Sequence, residues 1–324
     1  MLYADTVEQD KLVHKPWFLA CLFGAVFLVF FAFNLTGTIF GEFMRPVIGD
    51  PAQSGIYGRF AVAVAVAVLF AINIALIGFL PRPWQIGVVW LQLLVLFLSF
   101  FYTFDLSFSF IAQKIPFMVT QGVFTTLYVS AISIMIASVI AIIGAVAKLS
   151  DNGFAFAIAS FYTSLFRGLP LLMQVYLIYL GLPQLGFVIG AIPAGVLALS
   201  LCYGAYMTEI FRAGIQSIDR GQWEASRSIG FGFSITMRKI ILPQALPVII
   251  PPTGNQFIAM LKDSSLVSVI GVWELMFLAR TLGQKTFQHM EMLITAAMIY
   301  WMLSICLELI QSRIERHYGS RSSR

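Results

Sequence analysis

The chain has 324 residues, of which 59% are apolar and only 11% charged, with a formal net charge of +5. Soluble domains carry roughly 25% charged residues, and most apolar runs here show no polar stripe at helical spacing, which excludes an ordinary soluble fold. The basic residues stand in short stretches between apolar runs rather than on one soluble face, which argues against a nucleic-acid partner and for membrane orientation by positive charge.

Asp5, Glu8 and Asp10 make the first residues acidic. The apolar stretch 17–40 is longer than a signal-peptide core and lacks a small-x-small cleavage site, so it is expected to be a retained span. Gly41 to Gly58 contains Pro46, Gly49, Asp50, Pro51 and Gly55 and is expected to be a loop. Spans at 59–80 and 84–104 are separated by the turn Pro81-Arg82-Pro83. A span at 119–147 ends at the polar break from Lys148 to Gly153. Spans at 154–182 and 189–211 follow, then a polar segment, a span at 246–272, a mixed stretch at 273–290 and a last span at 291–312. The expected fold is an all-α integral membrane protein of about eight transmembrane helices. It divides into residues 1–112, with three spans, and residues 113–324, with five. Cys21, Cys202 and Cys306 lie in separate apolar runs without metal-ligand spacing.

An even number of spans puts both ends on one side. That side carries Lys11, Lys15, Arg82, Lys148, the cluster from Arg212 to Lys239, Arg313, Arg316, Arg321 and Arg324. The other carries Arg45, Arg59, Lys114, Arg280 and Lys285. The excess makes the first side cytoplasmic.

Three motifs interrupt the apolar pattern. The first is polar and cytoplasmic, within about 216–245: Gly221-Gln222-Trp223-Glu224-Ala225-Ser226, then Gly230, Gly232 and Ile241-Leu242-Pro243. Gln222 to Ser228 has no glycine or proline and can form about two helical turns. Glu224 is expected near that helix's N-terminus, and Gly230 and Gly232 are expected to reverse the chain with positive φ. The second motif is Phe166-Arg167-Gly168-Leu169-Pro170-Leu171-Leu172. An arginine deep in lipid is costly, so 154–166 can lie along the interface with the span proper starting near Gly168. Arg167 and Pro170 then serve either gating or a structural kink. The third is Lys262-Asp263-Ser264-Ser265 inside an apolar span. Its charges require the bundle interior, a partner or water. It suits a zwitterionic ligand on the translocation pathway, or it is a self-neutralising pair at a helix break. Glu209 and Arg212 stand at i, i+3 spacing and are expected to pair.

The Glu224-Ala225, Gly230 and Ile241-Leu242-Pro243 spacing resembles the coupling loop of ABC-importer permeases. Ser226 stands where that family usually has a second alanine, and Pro247 where it often has a basic residue. The Phe-Arg-Gly-Leu-Pro-Leu-Leu and Lys-Asp-Ser-Ser-Leu stretches resemble signatures of the histidine/glutamine/glutamate-type polar amino acid importers. The resemblance covers residues 113–324 and implies a five-helix permease core preceded by three extra helices. It further implies a multi-pass subunit of the bacterial inner membrane, with both termini cytoplasmic, that imports amino acids or related small polar solutes. Its implied partners are ABC ATPase subunits, a second permease subunit, the same or similar, and an extracytoplasmic solute-binding protein. The chain holds no Gly-x-x-x-x-Gly-Lys-Ser/Thr loop, so no cofactor is expected on it and ATP with Mg²⁺ would sit on the ATPase. An ion-coupled secondary carrier of zwitterionic solutes is the alternative reading, and it predicts broken helices in both halves.

Overall fold

The computed structural model describes residues 15–50, 53–102 and 106–322. Asp5, Glu8, Asp10, Lys11, Pro51 and Arg324, named above, lie outside them. Among the described residues all regular structure is helical. Seven helices among the described residues are long and apolar enough to cross a membrane, and the count is eight if one bent pair is a single span. The chain divides into two compact units, Met1–Phe104 and Asp105–Arg324.

In the first unit α1 (Pro16–Phe33) opens on a proline, which gives up an N–H that no helix start can use. It stops well short of residue 40 because Asn34 turns left-handed at φ 50°. The expected loop from Gly41 is in part helical: α2 (Ile39–Ile48) includes Pro46 and closes at Gly49. α3 (Gly55–Gly78) buries the small stripe Val62, Ala63, Val66 and Ala67 and packs on α1, with the Phe27 and Phe60 rings 5.3 Å apart. Arg59 lies over the Phe31 ring and donates to the Phe31 and Ala32 carbonyls, which the end of α1 leaves without helical partners. α4 (Arg82–Tyr102) exposes Trp90, Leu91, Leu94 and Leu98, as a lipid-facing helix does.

The first span of the second unit starts before residue 119. α5 (Phe108–Phe117) runs through a π-helical turn, Met118–Val123, into α6 (Phe124–Leu149). α6 meets α9 (Ala191–Gln216) along small residues. A Cβ on Gly144 would stand 2.5 Å from Thr208 Oγ1, and one on Gly204 would stand 2.8 Å from Ile140 Cγ2. Such close backbone approach replaces the hydrophobic drive that lipid removes. Ser200 Oγ adds a hydrogen bond across the helices to the Ser133 carbonyl at 3.3 Å.

Between them the expected single span at 154–182 is two helices, α7 (Gly153–Gly168) and α8 (Leu171–Gln184), bent by 106°. Pro170 has no N–H and forces Leu169 into extended backbone, so the helix cannot continue through it. Gln174, 2% exposed, donates to the Phe166 and Leu169 carbonyls at 2.9 and 2.8 Å and so satisfies the groups the break leaves open.

After α9 come α10 (Arg220–Ser228), α11 (Phe233–Thr236) and a π-helical turn, Met237–Ile241. α12 (Leu242–Asp263) continues into a 3₁₀ segment, Ser264–Ile270, that ends at Gly271 with φ 85°. The span is therefore Phe233–Ile270, longer than 246–272 at its start. It keeps Pro247, Pro251 and Pro252 inside the helix. Gln311 of α14 (His289–Ser322) donates to the Pro251 carbonyl at 3.1 Å. The mixed stretch holds α13 (Leu275–Thr286), capped by the Glu274 side chain, which accepts from the Met276 and Phe277 amides.

Candidate functional site

Two arrangements collect the unusual residues. The first is α10. Asp219 Oδ1 caps it by accepting from the Gly221 amide at 2.6 Å. At its far end the Ile229 amide bonds back to the Ala225 carbonyl and the Phe231 amide to the Ser226 carbonyl. Gly230 sits between them at φ 81°, where a side chain would be strained. Gly232 is at φ −70°, ordinary extended backbone, so the reversal rests on Gly230 alone. Glu224 lies mid-helix, outside the first turn, because α10 starts at Arg220; the acid at the N-terminus is Asp219.

One face of α10 is anchored. Trp223 stacks on Phe233 at 6.3 Å and packs against the cluster of Ile215, Met237, Ile241, Ala245 and Ile249. Ser226 is buried and donates to the Gln222 carbonyl at 2.6 Å. A hydroxyl thus fits where only a small residue can. The other face exposes Gly221, Gln222, Glu224 and Ala225. The arrangement is a short polar helix, capped at both ends and seated on the ends of two spans, with an open face for a partner.

The second arrangement is a cavity of about 470 Å³ at the α7–α8 break. Arg167, Pro170, Cys202, Tyr203, Tyr206, Gln256 and Asp263 are among its lining residues. The Tyr203 hydroxyl donates to Asp263 Oδ2 at 2.7 Å. The Arg167 guanidinium lies over the Tyr206 ring at 5.4 Å and has one nitrogen 3.9 Å from Glu209. Glu209 also pairs with Lys148 at 2.5 Å and with Arg212 at 2.9 Å. The cavity wall thus carries one cation and one carboxylate on different helices, with aromatic hydroxyls between.

The fold brings Arg167, Pro170 and Asp263 onto this one wall, although their motifs stand far apart in sequence. It leaves out the rest of the third motif. Lys262 is exposed and Ser265 half-buried, and neither lines the cavity. Ser264 is buried, with its hydroxyl on the Leu261 carbonyl at 2.7 Å. Asp263 is bonded to Tyr203 rather than neutralised by its neighbour. Tyr203, Tyr206 and Gln256 were not expected at a site. The signal for the tyrosines is two hydroxyls at i, i+3 inside an apolar span. Glu209 holds the expected Arg212 and two further cations that no local spacing could reveal.

Residues 137–320 match the family described as binding-protein-dependent transport system inner membrane component. The chain is 40% identical to the arginine transport system permease protein ArtQ of Bacillus subtilis (strain 168), over 67% of this chain and 99% of that protein. It is 38% identical to the L-cystine transport system permease protein TcyB of the same organism, over 61% of this chain and 86% of that one. It is 37% identical to the putative glutamine transport system permease protein GlnP of Rickettsia bellii (strain RML369-C), over 63% and 94%. Among solved structures it resembles a chain of an amino acid ABC transporter crystallised with histidines, at 37% identity and a TM-score of 0.62, over 66% of this chain and 99% of that one.

Proposed function

The chain belongs to the binding-protein-dependent transport system inner membrane components, and we propose that it is the membrane-spanning half of an ATP-driven importer of free amino acids. The α10 face of Gly221, Gln222, Glu224 and Ala225 docks the ATPase subunits, which bind the ATP and Mg²⁺. A second permease subunit, the same or similar, and an extracytoplasmic solute-binding protein complete the complex. Both termini and α10 face the cytoplasm of a bacterial cell, with the spans in its inner membrane. Family membership favours this over the ion-coupled carrier.

Because Trp223 is sunk between the ends of α9 and α12, a push on α10 moves both spans rather than bending a loop. Asp263 and Tyr203 sit on those same two spans. Movement at the docking face therefore reaches the cavity through rigid helices, which is what a two-state transporter requires.

The observation that best supports an amino acid as cargo is the pair of opposite charges on the cavity wall. The planar guanidinium of Arg167 matches an α-carboxylate. Asp263 Oδ2 and the Tyr203 hydroxyl suit an α-ammonium. A free amino acid offers both groups; a sugar or a metal ion does not. Arg167→Gln and Asp263→Asn should each weaken binding of the best-bound of the twenty standard L-amino acids about tenfold or more, on the scale of one charge-assisted hydrogen bond. Equilibrium binding to the reconstituted complex measures this. Unchanged binding in both variants would move the cargo site out of this cavity.

A further inference from the structure

The Arg167 guanidinium has two claims on it. It lines the cavity, and it stands 3.9 Å from Glu209 Oε1. That separation is too long for a hydrogen bond, so the contact is loose and the fork is not locked. Glu209 does not depend on it. One carboxylate oxygen takes Lys148 at 2.5 Å and the other takes Arg212 at 2.9 Å. Lys148 is held further by donating to Thr163 Oγ1 at 2.9 Å. Arg167 can therefore leave Glu209 without leaving a half-buried carboxylate unpaired.

We infer that Glu209 competes with the carboxylate of the cargo for Arg167, and so sets how weakly the cavity holds what it binds. This rests on the cavity being the amino acid site. A passage site must release its cargo, and an internal anion beside the cation that grips the cargo lowers affinity without removing the charge match. Glu209 stands two turns before Gln216, where α9 ends and the chain turns into α10. Displacement of α10 changes the Glu209–Arg167 separation and with it the grip on the cargo. The coupling is reciprocal, as any two linked sites must be.

The test uses the complete reconstituted transporter, with the best-bound standard L-amino acid and its α-carboxamide as probes. Glu209→Gln should tighten amino acid binding about twofold to fivefold, the range of one partly exposed ion pair. The carboxamide has no carboxylate to compete, so its affinity should not change. In an Arg167→Gln background the gain should vanish, as a double-mutant cycle requires of a direct competition. Glu209→Gln alone leaves Lys148 uncompensated, so the double variant Lys148→Met/Glu209→Gln is measured beside it and should show the same gain. A merely structural Glu209 would weaken both probes or leave both unchanged, and either result overturns the competition. If Arg167→Gln and Asp263→Asn both bind normally, the cavity reading fails instead. If they weaken binding while neither Glu209 variant tightens it, only the competition fails. A wild-type complex that binds none of the twenty amino acids overturns both.

Discussion

α10 and the cavity are built on opposite plans. α10 is one contiguous regular helix, closed at both ends by its own polar groups, with Gly221, Gln222, Glu224 and Ala225 exposed. The cavity takes its wall from α7, α8, α9 and α12 and lies where helices break: at Leu169–Pro170 and where α12 passes into the 3₁₀ segment after Asp263. The docking role proposed for α10 would transmit force, so it needs rigidity and an open face. Passage of a polar solute needs polar groups inside a bundle, and lipid tolerates irregular backbone only where protein or a water-filled space covers it. The two plans predict different failures on mutation.

The largest effect separates them. Glu224→Lys reverses an exposed charge, so folding and amino acid binding should persist. Uptake and co-purification of the ATPase should fall more than tenfold, because a basic partner group matched to Glu224 would then face a like charge, and like-charge juxtaposition costs several kcal/mol. The contrast breaks if the variant loses cargo binding as well, since α10 would then shape the cavity directly.

The opposite failure is expected at the helix break. Gln174→Leu leaves the Phe166 and Leu169 carbonyls without the amide that now satisfies them. Losing a hydrogen bond to a partly covered carbonyl costs about 0.5–1.5 kcal/mol. Thermal stability in detergent should drop by several degrees and amino acid affinity should fall, because Leu169 itself lines the cavity. ATPase association should survive. Loss of association with intact binding would show that the break serves docking after all.

The same difference explains what the sequence could tell. The helical character of α10 was legible because its information is local: a polar, glycine-closed segment between apolar runs, expected on the cytoplasmic side by charge. Even there, position within the helix was missed, since nothing in Gln222–Ser228 shows that Asp219 starts the helix three residues earlier. The cavity was legible only as fragments. Arg167 and Asp263 stand out as charges in apolar runs, but their meeting on one wall depends on how α7, α9 and α12 pack. Tyr203 and Tyr206 read as ordinary span aromatics until Asp263 and Arg167 are placed against them. Lys262 stands next to Asp263 in sequence but off this cavity's wall, because neighbours on a helix point about 100° apart.

Two carboxylates sharpen this last point, because each accepts from a tyrosine. Asp263 takes the Tyr203 hydroxyl at 2.7 Å and faces the cavity. Glu274 takes the Tyr300 hydroxyl at 2.6 Å and the Met276 and Phe277 amides, and is fully buried. Burial pushes the Glu274 carboxyl up to about 7 from 4.5, against the pull of the tyrosine, the two amides and Arg280. A carboxyl raised in the folded state keeps its proton where the unfolded chain has lost it. Its contribution to stability is therefore complete below about pH 4.5, declines as pH rises through about 7, and changes no further above that. Glu274→Gln keeps the shape and cannot ionise. The thermal midpoint of wild type relative to this variant, measured in detergent from pH 5 to 8, should fall up to about pH 7 and then level. Subtracting the variant cancels every other titrating group. A difference independent of pH would mean that the carboxylate stays charged in its cap, held by the helix N-terminus more strongly than burial opposes it.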